Sequence, residues 1–261
     1  MYECLLYSCL DGVCRITLNR PHVYNALNPT LLRELTTAFD IAGADDTVRV
    51  VVLTGAGDNA FSSGADLKEA ANTDGQPNLG DMLRTTYNPL IRTMRNLPKP
   101  IIARVNGIAA GAGSSLALAC DLVICTDSAY FSQIFVNIGL MPDAGATFLL
   151  PRLLGPQLAF ELSSTGRKVF GPEAVRIGLA NRSVPAEELD ETVNETAVYY
   201  ATAPTRAIGA MKKNFNQSLY SNLDQMLEQE ADNQSELGTS ADFREGLHAF
   251  SSKRSANFSG K

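Results

Sequence analysis

Asp143 stands in the segment Ile138-Gly139-Leu140-Met141-Pro142-Asp143-Ala144-Gly145-Ala146-Thr147, where no other side chain ionises. A carboxylate in apolar company has its charged form disfavoured, which raises its pKa and suits it to trade protons near neutral pH. Two earlier segments, Phe61-Ser62-Ser63-Gly64-Ala65-Asp66-Leu67 and Asn106-Gly107-Ile108-Ala109-Ala110-Gly111-Ala112-Gly113, are rich in small residues and can present bare backbone N–H groups. One acid and two such donors form a minimal kit for proton transfer beside a carbonyl. The donors hold the developing oxyanion and the acid carries the proton.

Each feature also has a plainer reading. Asp143 fits the N-cap of a helix starting at Ala144. The Asn106–Gly113 run fits close packing of a helix on a sheet. Asp66 reads as a turn or cap residue, since Asp side chains bond nearby N–H groups in such turns.

Stepping outward, Asp11-Gly12 predicts a hairpin between strands over 3–10 and 13–18. Pro29 opens a helix with Leu32, Leu35 and Phe39 on one face. Val48–Thr54, Ile101–Val105 and Leu122–Cys125 read as buried strands. A polar loop spans 72–80, and a helix with Leu83, Tyr87, Leu90, Ile91 and Met94 inward stops at Pro98 and Pro100. A further helix is expected from Ser114 to Ala119. The alternation of strand, turn and helix implies parallel pairing with helices on the faces. From about residue 157 the chain reads as mostly helical, with Pro172 and Pro204 in first turns and a long, charged, amphipathic tail over Leu223–Phe250. No internal repeat is evident. The expected architecture is an α/β core over residues 1–200 and a helical C-terminal region over 201–261.

Composition narrows the function classes. The 261 residues are 45% hydrophobic and 19% charged with a net charge of −6, which argues against nucleic-acid binding. No apolar stretch approaches spanning length and the N-terminus lacks a signal-peptide pattern, so a cytoplasmic protein without a membrane partner is expected. Cys4, Cys9, Cys14, Cys120 and Cys125 contain no C-x-x-C pair, so buried reduced thiols are expected and neither disulfides nor a metal site. His22 and His248 lie in no catalytic motif.

The ordered segments Phe61–Leu67, Lys99–Gly113 and Ala119–Ile124 resemble the enoyl-CoA hydratase/isomerase (crotonase) superfamily, almost end to end from Ile16-Thr17-Leu18-Asn19-Arg20-Pro21. The resemblance implies a spiral of β-β-α units, a helical trimerisation region and assembly as a homotrimer or a dimer of trimers. It implies an acyl-CoA thioester substrate, with no cofactor beyond the coenzyme A of the substrate itself. It makes Ala65 and Ala112 the oxyanion-binding N–H groups; many relatives have glycine at the second.

The departures bear on the reaction. The hydratase branch uses two glutamates, and the matching positions are Ser115 and Phe135. Asp143 instead resembles the catalytic aspartate of CoA-thioester isomerases, including those of ring-1,2-epoxyphenylacetyl-CoA and 3-enoyl-CoA. The resemblance also implies a CoA site near Val23, Asn25 and Ala26 and beside the Gly-Ala-Asp turn at Ser63, Leu67 and Lys68, with Phe258 and Lys261 covering CoA from a neighbouring subunit. A broad enoyl-CoA hydratase and a non-catalytic acyl-CoA-binding member stay open as alternatives.

Overall fold

The computed structural model describes residues 2–67 and 78–261. Strands β1 (Leu5–Leu10) and β2 (Val13–Leu18) form the expected antiparallel hairpin, with Asp11 at φ +50° and Gly12 at φ +81° in the turn. Positive φ at both turn residues twists the hairpin in the sense the strands require. Asn28 caps α1 (Pro29–Ala44) by accepting from the Leu31 N–H at 2.9 Å. Leu31, Leu32, Leu35 and Phe39 on its inner face are fully buried, each worth about 1.5–3 kcal/mol.

From here the chain repeats one pattern. A long strand is followed by a short strand and then by helix: β3 (Val50–Gly55) and β4 (Ala60–Ser62), β5 (Ile101–Val105) and β6 (Ile108–Ala110), β7 (Leu122–Thr126) and β8 (Tyr130–Ser132). The long strands build a six-stranded sheet in the order β1-β2-β3-β5-β7-β10, with β10 at Arg182–Val184. The short ones build a second sheet, β4-β6-β8-β9, with β9 at Val169–Phe170. β4, β6 and β8 are parallel to one another, so their C-terminal ends lie side by side. The β-β-α units are therefore structural repeats that leave no repeat in the sequence.

The helices after β4 and β6 differ in kind. Between 79 and 96 the chain runs as α2 (Leu79–Met82), a π-helical turn (Leu83–Tyr87) and α3 (Asn88–Asn96), where one uniform helix is expected from the periodicity. α4 (Ala112–Leu118) starts just after Gly111, covers most of the helix expected through Ser114–Ala119 and is buried throughout. The long strands are apolar on both faces. Val51 and Leu53 face the main core with α1, while Val50 and Val52 join Ile102, Ile124, Leu189 and Val193 beneath α8 (Leu189–Thr202). That double burial is why they read as unbroken apolar runs.

Beyond β8 come α5 (Ala146–Leu154), α6 (Pro156–Thr165) and α7 (Gly171–Ile177), with the short β9 and β10 interrupting the stretch expected to be helical. Pro172 sits in a first turn, whereas Pro204 is the N-cap of α9 (Thr205–Ser218). The C-terminal tail is two helices, α10 (Leu223–Leu237) and α11 (Ala241–Ser251), because Ser240 starts a new helix by capping the Phe243 N–H at 3.0 Å. α9 docks on the core through buried Lys212, whose Nζ lies 2.7 Å from Asp121 Oδ2, with Arg95 3.7 Å from the same carboxylate. All five cysteines are free thiols, but Cys9 is exposed rather than buried.

Candidate active site

The turn after β4 is tied down on every side but one. Ser62 Oγ donates to Asn25 O at 2.8 Å and accepts from the Gly64 N–H at 3.2 Å. Leu27 donates to Gly64 O at 2.7 Å, Asp66 donates to Leu27 O at 3.0 Å, and the Asp66 carboxylate pairs with Arg20 at 2.9 Å. Asp66 is thus a fastening residue. After β6, Gly111 at φ +52° donates to Ser132 O at 2.9 Å and swings the chain into α4. Ser115 makes the first intrahelical bond, to Gly111 O at 3.1 Å, which leaves the Ala112 N–H at a helix start without an internal acceptor. Among the described residues neither Ala65 nor Ala112 donates its N–H to the chain.

Glycine makes the two turns touch. A Cβ on Gly64, at φ +94°, would sit 2.8 Å from Ala110 O and 3.3 Å from Ala112 N. Two such donors on abutting turns, one at the positive end of a short helix, have the chemistry to hold an oxyanion.

Asp143 lies in the loop that follows β8 and its 3-10 helix (Ile134–Ile138). Ala144 takes φ +49° and Gly145 φ +85°, and α5 starts only at Ala146, with Gly145 as its N-cap and no side-chain cap. Asp143 accepts the Ala146 N–H through its backbone carbonyl at 3.0 Å, while carboxylate atom Oδ1 is buried without a hydrogen-bond partner. The capping role is therefore not the one this side chain plays. Burial alone pushes its pKa up to about 6.

Tyr87, at the end of the π-helical turn, ties the pieces together. Burial first, then the charges of Asp143 and Asp66, push its hydroxyl pKa up. Sequence periodicity marks Tyr87 only as an inward-facing helix residue. The π-helical turn that aims it here, a feature frequent at functional sites, has no signature in the residue types. The rest of the wall is apolar or spent. Ser115 is fully buried and its hydroxyl donates to Gly111 O at 3.3 Å. The Phe135 ring is 3.9 Å from where a Gly111 Cβ would stand.

Comparison with known proteins gives this geometry its lineage. The enoyl-CoA hydratase/isomerase family model matches residues 9–261. The chain belongs to the enoyl-CoA hydratase/isomerase family. It is 44% identical over 260 residues to a Rhodobacter capsulatus protein named "Probable enoyl-CoA hydratase", covering 100% of this chain and 99% of the relative. It is 41% identical over 263 residues to the 1,2-epoxyphenylacetyl-CoA isomerase of Escherichia coli (strain K12), covering 100% of both. The crystal structure of an enoyl-CoA hydratase from Bacillus anthracis superposes with a TM-score of 0.91 at 34% identity, covering 99% of this chain and 100% of that one. The fold is thus the crotonase spiral, and the chain is an enzyme of this enoyl-CoA hydratase/isomerase family.

Within this family member, the residues expected at the CoA site fall into two groups. Val23, Ala26 and Ser63 come together: Val23 O accepts from the Ala26 N–H at 3.1 Å and from Ser63 Oγ at 3.4 Å. Leu67 is exposed beside them, and Lys68 lies outside the described residues. Asn25 is fully buried; its side chain donates to Ala56 O and Ala60 O at 3.0 and 2.9 Å and accepts from the Arg20 N–H at 3.0 Å. Its polar atoms are consumed in shaping the loop, so it positions its neighbours instead of meeting a ligand. Phe258 packs beside Gly246, and Lys261 O accepts from the Asp242 N–H at 3.0 Å. Both are thereby folded onto α11 of their own chain. Among the described residues no group of three or more His, Cys, Asp or Glu side chains is placed to hold a metal ion, and no helix is long and apolar enough to cross a membrane.

Proposed function

We propose that this enzyme is an acyl-CoA double-bond isomerase that works through a thioester enolate. The observation that carries the reading is the Asp143 carboxylate, half-buried, unpartnered at Oδ1 and released from capping α5. The thioester oxygen docks on the Ala65 and Ala112 N–H groups, which acidifies the adjacent carbon. Each such donor is worth about 3–4 kcal/mol in the transition state where it has been measured. Asp143 removes a proton from that carbon and returns it further along the conjugated system. Protons are conserved in an isomerisation, so one carboxylate of suitable reach serves both ends. A pKa of about 6 lets it release and regain a proton near neutrality.

Hydration is the competing reading, favoured by the name of the Rhodobacter capsulatus relative. Adding water across a double bond asks for groups that activate water and protonate carbon. Ser115 and Phe135 stand where the hydratase branch keeps its carboxylates, and neither can do this. The substrate class is a ring-1,2-epoxyphenylacetyl-CoA or a 3-enoyl-CoA, with CoA lying along Val23, Ala26, Ser63, Leu67 and Lys68. Phe258 and Lys261 would reach it from a neighbouring subunit of a homotrimer or dimer of trimers. The exposed Phe215, Leu223 and Phe250 on the C-terminal helices, with Tyr220 in the turn between α9 and α10, support such an assembly. The enzyme would act in the cytoplasm.

A spectrophotometric comparison of trans-2-enoyl-, cis-3-enoyl- and ring-epoxide CoA esters tests the reading. Turnover of either of the last two, with negligible hydration of crotonyl-CoA, is the expected result. Crotonyl-CoA hydration at enzymatic rates would reverse the assignment, and tight CoA-ester binding without turnover would indicate a non-catalytic member.

A further inference from the structure

The N-terminal hairpin brings two cysteines face to face. Cys9 on edge strand β1 is the register partner of Cys14 on β2. The two-residue turn Asp11-Gly12 makes Leu10 and Val13 the closing, hydrogen-bonded pair, so Cys9 and Cys14 form the adjoining non-hydrogen-bonded pair. Opposed residues of that kind have Cα atoms about 4.5 Å apart and side chains on one face, within the span a disulfide bridges. The two side chains interact with each other, and the Tyr7 hydroxyl is buried against both, outside hydrogen-bond geometry.

Their surroundings differ in a useful way. Cys9 is open to solvent, whereas Cys14 is wholly buried. Burial pushes the Cys14 thiol up to about 12, so it is a poor first target for an oxidant. The Lys99 ammonium, held by the carbonyls of Ala42, Gly43 and Asp45 at 2.7, 3.1 and 2.7 Å, lies close enough to both sulfurs to feel their charge.

We propose that Cys9 and Cys14 are a redox-modification site that closes to a cross-strand disulfide when the protein meets a hydroperoxide. Cys9 sulfur attacks one peroxide oxygen, the O–O bond breaks, and the departing oxygen leaves as water or alcohol, giving a Cys9 sulfenic acid. Cys14 sulfur then attacks Cys9 sulfur, forming the S–S bond as the S–O bond breaks and a water departs with the remaining proton. Two thiols lose two hydrogens and two electrons, and the peroxide takes them up. The site lies at the sheet edge, apart from the catalytic turns.

The test treats the folded protein with hydrogen peroxide, alkylates remaining thiols, unfolds it and cleaves before Asp11, which separates Cys9 from Cys14 in sequence. The expected result is an intact mass lower by about 2 Da before alkylation, with the two flanking fragments joined after cleavage until reductant is added. Cys9→Ser should abolish the joined pair and Cys4→Ser should leave it, with turnover unchanged in the reduced form of both. Oxygen added to Cys9 without joined fragments would overturn the proposal. Joined fragments that persist in Cys9→Ser would overturn it too, since the partner would then be Cys4.

Discussion

Replacing Asp143 with Asn should abolish turnover and, above neutrality, stabilise the fold. Burial holds the carboxylate at about 6 against an ordinary 3.8. Below pH 3.8 both folded and unfolded chains carry the neutral acid and no cost exists. As the pH climbs towards 6 the unfolded chain ionises first, binds fewer protons than the native state, and native stability falls. Above that the native carboxylate is ionised as well and the cost stays constant. At about 1.36 kcal/mol per pH unit the full displacement corresponds to roughly 3 kcal/mol, and partial access to solvent reduces this to about 1–3 kcal/mol. Asn has nearly the same shape and no charge to bury.

For a chain of this size about 1 kcal/mol moves the Tm by roughly 2–4 °C. Asp143→Asn should then melt roughly 2–12 °C above the parent at about pH 7.5, and within about 2 °C of it at about pH 4. Thermal melts at the two pH values, paired with turnover and calorimetric CoA-ester affinity, make the measurement. Turnover should fall at least about 10²-fold while affinity stays within a few fold. A Tm offset of equal size at both pH values would refute the buried-charge argument. Surviving turnover would refute the proton shuttle.

Three further outcomes follow from the same geometry. If Asp143 is the base, kcat/KM should rise about tenfold per pH unit below about 6 and level off above it; a flat profile between about pH 5 and 7 would point to another group. Gly64→Ala drives a methyl to 2.8 Å from Ala110 O and wedges the two donor turns apart. It should lower kcat by about 10²–10³-fold in a protein that still folds by circular dichroism. Asp121→Asn leaves buried Lys212 and half-buried Arg95 without their shared carboxylate and should cost about 2–4 kcal/mol in urea unfolding, with α9 loosening first by hydrogen exchange.

Much of this was readable in the residues, and what was not has physical causes. Doubly buried strands such as Val50–Gly55 and Ile101–Val105 announce themselves by apolar run and β-branching. The Asp11-Gly12 hairpin follows from turn chemistry. The short strands Ala60–Ser62, Ile108–Ala110 and Tyr130–Ser132 are too brief to show a period, so the second sheet stayed hidden. So did the break at Ser240, because the apolar spacing of α10 continues into α11 without interruption. Lys68, read as a CoA contact, and residues 72–77 of the polar loop lie outside the described residues.

The site depended on both kinds of information. Each chemical turn is visible locally, but their adjacency comes from parallel pairing of β4, β6 and β8, whose C-terminal ends carry Ala65, Ala112 and the loop of Asp143 in turn. Successive β-β-α units therefore set the Ala65 turn, the Ala112 turn and the chain leading to Asp143 after neighbouring parallel strands. Whether or not Asp143 caps a helix turned on where α5 begins, at 144 or 146, a difference within the ordinary blur of helix ends. An aspartate two residues nearer the helix would have satisfied its N–H groups and held a low pKa. Here the chain instead adopts positive φ at Ala144 and Gly145 and leaves a carboxylate oxygen unbonded. Both features cost stability, and neither is needed to start α5. On the proposed isomerase reading, a fold that carries such costs at Asp143 is one shaped around proton transfer there.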